Sequence, residues 1–160
     1  RPAVGDEPFG VILPDDLVSS GRPSLGQLIE ARAARGGGSV LAVQNVARAD
    51  TRKYGIVAVD DEAAETSVVR AMVEKPSPES APSTLAVIGR YVLEPGIFEA
   101  LEKVQRGVGG EIQLTDAIAA RLGAGDTYAH RFEGVRFDCG SKQGFLDATV
   151  HYARKQGYKI

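Results

Sequence analysis

Three apolar runs in this chain of 160 residues end in charged side chains instead of ordinary turn residues. The charged residues are Asp15 and Asp16 after residues 11–14, Glu74 and Lys75 after residues 68–73, and Asp138 after residues 135–137. In α/β sheets, loops and helix N-termini converge at the carboxyl ends of the strands, and ligands gather there. If these runs are neighbouring strands, several carboxylates and a lysine face one cleft.

Two carboxylates and a lysine in one cleft suit the chemistry of phosphate groups. Mg²⁺ takes one or two carboxylates, keeps some waters and completes its shell with substrate phosphates, so Asp15 and Asp138 are candidate ligands. Lys75 is a compact point charge suited to a phosphate oxygen. Metal and lysine together would neutralise the charge that builds up in phosphoryl or nucleotidyl transfer, where catalysis is mainly positioning and electrostatics.

Each of these residues also has a structural interpretation that involves no ligand. Asp15 can accept local hydrogen bonds in a turn after a strand, and Glu74 with Lys75 can form an exposed charged turn before a proline. Residues 138–141 (Asp-Cys-Gly-Ser) can cap the helix that follows them. The residues alone leave both interpretations open for each group.

Glycines mark further candidate contacts with a ligand. Gly55 and Gly89 lie in apolar strands, where a missing side chain lets a ligand approach the backbone. The alternative is that glycine permits tight packing or a bulge, and for Gly89 the strand pattern favours this alternative. Glu111 follows Gly109 and Gly110 at the predicted start of a helix, whose free amides can bind an anion or a sugar hydroxyl. Glu111 would also compensate the helix dipole there.

Composition and charge exclude several classes of protein. The chain has 19 Lys and Arg against 21 Asp and Glu, a net charge of −2 spread along the sequence, which argues against binding to nucleic acid. No apolar run approaches the roughly 18 residues that a membrane helix needs. The single cysteine, Cys139, cannot form an internal disulfide, which fits a reducing compartment. We expect a cytoplasmic α/β domain that acts on a small molecule, with no nucleic-acid or membrane partner.

Apolar runs alternate with stretches of helical periodicity, which predicts a sheet covered by helices. Strands are predicted at residues 9–13, 39–46, 54–59, 66–73, 85–93, 127–132 and 135–137, the first of them buried. Helices are predicted at residues 24–35, 95–104, 111–122 and 142–155. Ser24 and Gln27 have the spacing of a capping box. The last helix is predicted to turn one stripe inward, namely Phe145, Thr149, Tyr152 and Ala153.

Six segments, in this order, resemble those of the bacterial UTP–glucose-1-phosphate uridylyltransferases, a group of sugar nucleotidyltransferases. They are residues 13–16 (LPDD), 54–57 (YGIV), 73–76 (VEKP), 88–93 (IGRYVL), 109–117 (GGEIQLTDA) and 137–142 (FDCGSK). The resemblance extends from about Asp6 to Tyr158. Glu-Lys-Pro alone would be weak, whereas Gly-Gly-Glu-Ile-Gln-Leu-Thr-Asp is the most diagnostic segment.

The resemblance implies a Rossmann-like mixed sheet flanked by helices, and a reaction with Mg²⁺ as cofactor. An oxygen of glucose 1-phosphate attacks the α-phosphorus of UTP, which gives UDP-glucose and pyrophosphate without a covalent enzyme intermediate. Carried over by position, Asp15 and Asp138 are the implied metal ligands. With Lys75, which would contact the sugar phosphate, they are the implied catalytic residues.

The resemblance also implies the residues that bind the sugar. Glu74 would contact the sugar hydroxyls, Gly55 and Gly89 would offer backbone contacts to the glucose, and Glu111 would order the sugar side of the pocket. The family commonly forms dimers or tetramers, so a homo-oligomer is implied as well.

The chain departs from the family pattern in one large respect. Family members carry a glycine-rich loop, Gly-x-Gly-Thr-Arg, that binds the triphosphate, and no such loop occurs in residues 1–160. We therefore expect residues 1–160 to be the C-terminal portion of a single nucleotidyltransferase domain, inactive by itself. The alternatives are a glucose-1-phosphate thymidylyltransferase or related pyrophosphorylase, and a non-catalytic sugar-nucleotide-binding or regulatory domain.

Overall fold

A computed structural model describes residues 1–107, 110–124 and 126–160. The strands of this part of the chain are β1 (Phe9–Ile12), β2 (Asp16–Ser19), β3 (Ser39–Asn45), β4 (Gly55–Val59), β5 (Thr66–Glu74), β6 (Leu85–Leu93), β7 (Thr127–Arg131) and β8 (Val135–Asp138). Its α-helices are α1 (Ser24–Ala34), α2 (Ile97–Lys103), α3 (Leu114–Ala119) and α4 (Lys142–Lys155), and 3₁₀ helices cover Arg48–Lys53 and Leu122–Ala124.

Six strands form one mixed sheet in the order β1-β6-β3-β7-β5-β4, and β2 pairs with β8 in a separate two-stranded sheet. Strand β6 is antiparallel to both β1 and β3, whereas β3 and β7 are parallel. Every residue of β6 is buried. Its residues are apolar apart from Gly89 and Arg90, which is typical of a strand that is covered on both faces. The predicted α/β class, a mixed sheet flanked by helices, is confirmed.

Apolar side chains pack on both faces of the six-stranded sheet. Leu41 and Tyr91 belong to a buried cluster that includes Ile118 of α3. Val40, the neighbour of Leu41, packs instead in a second cluster with Leu28 of α1. Successive side chains of a strand point to opposite faces, so one strand contributes to both clusters. Burying a side chain such as Leu28 completely contributes about 1.5–3 kcal/mol.

Strand β1 was predicted to be buried, and within the described residues that prediction is wrong. It lies at the edge of the sheet, where it pairs antiparallel with β6 so that Phe9 faces Leu93 and Ile12 faces Arg90. The Ile12 side chain is 56% exposed. The other edge of β1 has no partner strand among the described residues. An apolar run does not distinguish an edge strand from a central one.

The capping box predicted at the start of α1 is also wrong. Pro23 occupies the N-cap position, and no side chain caps the helix. Gln27 is instead used at long range, because its Nε2 donates to the carbonyl oxygen of Glu133 (3.0 Å) and its Oε1 accepts from the amide of Glu133 (2.7 Å). These two bonds tie α1 to the loop before β8.

Helix α4 has the predicted bounds but presents a different face to the protein. Ser141 is its N-cap, and its Oγ accepts a hydrogen bond from the Gly144 amide at 3.0 Å. Phe145 is 63% exposed and Thr149 is exposed, whereas Ala148 is buried. A Cβ at Gly144 would lie only 1.9 Å from the Asp138 carbonyl oxygen. This contact at Gly144 rotates α4 so that positions 144 and 148, not 145 and 149, face β8.

Candidate active site

The two-stranded sheet brings together two of the charged segments singled out from the sequence. Asp16 begins β2 and lies opposite Asp138, which ends β8. The Cys139 amide donates to the Asp15 carbonyl oxygen at 2.7 Å, which extends the pairing by one residue. Strand β2 was not predicted, because Pro14 and two aspartates carry the signal of a turn. The acidic segments therefore meet through direct strand pairing.

A cleft of about 350 Å³ opens beside this pairing. It is lined by six of the seven residues predicted for the site: Asp15, Gly55, Glu74, Lys75, Gly89 and Asp138. Glu111 is exposed and does not line the cleft, since α3 starts three residues later than Glu111. Other residues of the same motif line it instead, namely Gln113, Leu114 and Thr115. The role assigned to Glu111 stays a prediction, and Gly109 of that motif lies outside the described residues.

Two carboxylate oxygens converge beside Gly140. A Cβ at Gly140 would lie 3.2 Å from Asp15 Oδ2 and 3.2 Å from Asp138 Oδ1. The Gly140 amide donates to the same Asp138 oxygen at 3.1 Å. No cluster of three or more His, Cys, Asp and Glu side chains suited to a metal occurs within residues 1–107, 110–124 and 126–160. Two hard oxygen donors with room for further oxygens fit Mg²⁺, which uses few protein ligands and several waters or phosphates.

The carboxylate of Asp16, the neighbour of Asp15, is buried and bonded to other groups of the protein. Its Oδ2 accepts from the Gly89 amide at 2.7 Å, and its Oδ1 pairs with the Arg136 guanidinium. A Cβ at Gly89 would lie 2.6 Å from Leu13 Cβ and 2.8 Å from Asp16 Oδ2. Tight packing therefore explains why position 89 carries glycine. Its predicted backbone contact with a sugar stays a prediction.

Sequence reasoning missed Arg136 and Tyr54. The Arg136 guanidinium lies 4.9 Å from the centre of the Tyr54 ring, and its Nη1 donates to the Tyr54 hydroxyl at 3.2 Å. That hydroxyl donates to Asp138 Oδ2 at 3.3 Å. Burial alone would lower the pKa of Arg136, but hydrogen bonds to Asp16 and Tyr54 raise it above its ordinary value, so the group stays charged. Alternation in β8 was the available signal, since residues 136 and 138 share one face of a strand.

Lys75 has an unusual backbone conformation. Its φ of 46° is the one positive value at a non-glycine position among the described residues. Such a conformation costs about 1–2 kcal/mol, and it persists only where surrounding contacts impose it. The Lys75 amide donates to the Tyr54 carbonyl oxygen at 3.0 Å, which is one such contact. Strain of this kind is commonly found at functional sites.

The Glu74 carboxylate is held inside the cleft, so an exposed charged turn does not describe it. Its side chain is 11% exposed, and its Oε2 accepts from the Thr115 hydroxyl at 2.7 Å. Its Oε1 lies 3.6 Å from Lys75 Nζ. A Cβ at Gly55 would lie 3.1 Å from Thr115 Oγ1 and 3.3 Å from Glu74 Oε2. Glycine at position 55 therefore leaves room for this carboxylate and hydroxyl pair.

Tyr91 is a buried residue in the lining of the cleft. Burial, followed by the negative charge of Asp16, raises the pKa of Tyr91 to about 12. The hydroxyl therefore keeps its proton at neutral pH. A protonated tyrosine hydroxyl can both donate and accept a hydrogen bond.

Residues 2–155 match the family described as nucleotidyl transferase. The chain belongs to this family. A relative from Komagataeibacter xylinus, named UTP–glucose-1-phosphate uridylyltransferase, is 49% identical over 142 residues, which cover 89% of this chain and 50% of that protein. The six segments that resemble the family are thus found in a nucleotidyl transferase.

Solved structures of nucleotidyl transferases superpose on this chain. A UDP-glucose pyrophosphorylase complexed with UDP-glucose gives a TM-score of 0.90 at 39% identity, covering 96% of this chain and 59% of that one. A UTP-bound UGPase from Acinetobacter baumannii gives 0.82 at 38% identity, covering 96% and 53%. The chain spans about half the length of the curated relatives it matches. Among the described residues of this nucleotidyl transferase, no helix has both the length and the hydropathy to cross a bilayer.

Proposed function

We propose that residues 1–160 are the sugar-binding and metal-binding part of a UTP–glucose-1-phosphate uridylyltransferase. The observation that carries the proposal is the meeting of Asp15, Asp138 and Lys75 in one cleft. In the proposed reaction, a phosphate oxygen of glucose 1-phosphate forms a bond to the α-phosphorus of UTP. The bond from that phosphorus to the bridging oxygen of the β-phosphate breaks, and pyrophosphate leaves with the electron pair.

Asp15 and Asp138 are the residues that would hold Mg²⁺. When bound, Mg²⁺ neutralises negative charge on phosphate oxygens. This is needed because both substrates are negatively charged and repel each other. The protein's part is to present Asp15 Oδ2 and Asp138 Oδ1 toward one another. Glycine at position 140 keeps the space between these oxygens open.

Lys75 would hold the phosphate of the sugar. Its positive φ is maintained by the bond from its amide to Tyr54, so the backbone that carries the side chain is held in place. The Lys75 ammonium group lies 3.6 Å from Glu74, at the distance of a loose ion pair. A phosphate has stronger charge than this carboxylate and can compete for the ammonium group.

Glu74 and its neighbours would recognise the sugar hydroxyls. Thr115 donates to Oε2 of Glu74, which orients the carboxylate while Oε1 keeps accepting capacity. Tyr91 and Gly55 line the same cleft. A volume of about 350 Å³ lies at the lower end of the range for small-molecule sites, which suits a hexose phosphate more than a whole sugar nucleotide.

The remaining half of the relatives' length would supply the triphosphate and base contacts. UTP and glucose 1-phosphate are then the substrates, the reaction takes place in the cytoplasm, and the enzyme is a homodimer or homotetramer. Light scattering on the full-length protein measures the last of these directly. Assays of the same protein with UTP and with dTTP distinguish the thymidylyltransferase alternative, since faster turnover of dTTP would overturn the choice of UTP.

A chimera tests the proposed function of this chain. In it, residues 1–160 replace the matched half of the Komagataeibacter xylinus relative. We expect the chimera to form UDP-glucose from UTP and glucose 1-phosphate with a requirement for Mg²⁺, and to prefer glucose 1-phosphate over other hexose 1-phosphates. A chimera that unfolds cooperatively and binds UDP-glucose without turnover would support the non-catalytic alternative instead.

A further inference from the structure

Arg136 is a buried cation at the base of the cleft that reaches three other groups. Its side chain is 7% exposed and pairs with the Asp16 carboxylate. It also donates to the Tyr54 hydroxyl at 3.2 Å, and its Nη2 lies 4.0 Å from Asp138 Oδ2. We propose that Arg136 and Tyr54 are positioning residues, which orient the Asp138 carboxylate for a divalent cation and keep Asp16 away from it. The inference rests on the proposed function, in which Asp138 is a metal ligand.

The two oxygens of Asp138 have different partners. Oδ2 accepts from the Tyr54 hydroxyl at 3.3 Å and faces the Arg136 guanidinium. Oδ1 accepts from the Gly140 amide at 3.1 Å and faces the space shared with Asp15. Arg136 and Tyr54 thus hold one oxygen at the back of the cleft, which turns the other oxygen toward Asp15. Without these partners the plane of the carboxylate would be free to rotate, and neither oxygen would be held toward Asp15.

Asp15 and Asp16 have opposite environments, because Arg136 pairs with Asp16 and not with Asp15. Both oxygens of Asp16 are engaged, one by the Gly89 amide and one by the Arg136 guanidinium, which also neutralises the charge. The Asp15 carboxylate has no hydrogen-bond partner among the described residues, so it is available to a cation. Arg136 therefore selects which of the two neighbouring carboxylates a metal can use.

Stability alone does not account for a buried guanidinium at this position. Burying an ion pair costs solvation energy that is about as large as the attraction between the two charges. Replacing such a pair by apolar side chains is therefore often neutral or stabilising. The planar fork of arginine can serve Asp16, Tyr54 and Asp138 together, whereas the single ammonium group of lysine cannot match this geometry. Outer groups that orient metal ligands typically change metal affinity by about 10–100-fold when they are altered.

The test compares three substitutions in the chimera. Arg136→Lys keeps the charge and loses the fork, and Tyr54→Phe removes one hydroxyl but keeps the ring. Tyr128→Phe is the matched control, because Tyr128 lies in β7, contacts Arg35 and does not line the cleft. Mn²⁺ binding in the presence of UDP-glucose is followed by electron paramagnetic resonance, and the KM for glucose 1-phosphate is measured in parallel.

We expect Arg136→Lys and Tyr54→Phe to weaken Mn²⁺ binding by about 10-fold, with a much smaller change in KM. Tyr128→Phe should bind Mn²⁺ like the parent. If Tyr54→Phe melts like the parent and binds Mn²⁺ equally well, the inference is overturned, even where Arg136→Lys is too unstable to measure. A parent that binds Mn²⁺ but forms no UDP-glucose would instead contradict the proposed function.

Discussion

The substitution Gly140→Ala should weaken metal binding without impairing folding. The new Cβ would lie 3.2 Å from a carboxylate oxygen of Asp15 and equally far from one of Asp138. At that distance the two side chains must move apart by a few tenths of an ångström, and the methyl group occupies the space where their oxygens converge. Gly140 does not have a positive φ, so its backbone conformation suits alanine. The substitution therefore disturbs the carboxylate pair and little else.

We expect Gly140→Ala to increase the stability of the fold but to weaken metal binding. Replacing glycine by alanine at a compatible position stabilises a protein by about 0.4–1 kcal/mol, because the unfolded chain loses freedom. Displacing the ligand oxygens should weaken metal binding by about 10–100-fold, on the scale of losing the contacts that orient a ligand. That range corresponds to about 1.4–2.8 kcal/mol of binding free energy. Raising the Mg²⁺ concentration should restore part of the turnover.

The assay uses the chimera and the matched variant Gly26→Ala. Gly26 lies in α1, where a Cβ would meet nothing closer than Pro23 Cβ at 3.9 Å. Initial rates are measured across a Mg²⁺ titration, and urea unfolding gives the free energy of unfolding of each protein. If Gly140→Ala shows the same dependence on Mg²⁺ as Gly26→Ala, the carboxylates of Asp15 and Asp138 do not bind the metal together.

Further substitutions test the other assignments. Asp15→Ala should lower turnover by at least about 100-fold, the scale of a lost electrostatic group, and a variant with most of its activity would exclude Asp15 from the metal site. Lys75→Gly and Lys75→Ala should both raise the KM for glucose 1-phosphate. The glycine variant should be more stable than the alanine variant by about 1 kcal/mol, because glycine tolerates a positive φ. Equal stabilities of the two variants in urea unfolding would contradict backbone strain at position 75. Burial lowers the pKa of His130 below 6.5, so the unfolded state binds more protons in acid, and stability should fall as the pH drops below about 6.5. His130→Gln should reduce that loss between pH 7.5 and 5.5, and an unchanged slope would show that His130 is not its source.

The sequence allowed prediction of those features that depend on local pattern. Strand β6 was predicted with its observed bounds, since residues 85–93 form an apolar run that is interrupted only by Gly89 and Arg90. Asp15, Lys75 and Asp138 were singled out because charges that directly follow apolar runs are informative about strand ends, and all three line one cleft. Their meeting in one cleft depended on β2, whose turn-like residues concealed a strand.

What was missed depends on contacts between distant parts of the chain. Arg136 and Asp16 are 120 positions apart, and nothing near either residue indicates the partner. The face of α4 was predicted wrongly for the same reason. Periodicity describes a helix by itself, whereas the close approach of Gly144 to Asp138 decides which side packs.

The contact at Gly144 also couples the motion of α4 to the strand that ends at Asp138. No side chain fits between the helix and the Asp138 carbonyl oxygen, since a Cβ would lie 1.9 Å from it. In addition, the Ser141 amide and hydroxyl both donate to that oxygen, at 3.2 and 3.0 Å. The start of α4 and the end of β8 therefore contact each other directly at this oxygen. We therefore expect a displacement of α4 at its outer face, where Phe145 and Leu146 are exposed, to move Asp138 as well.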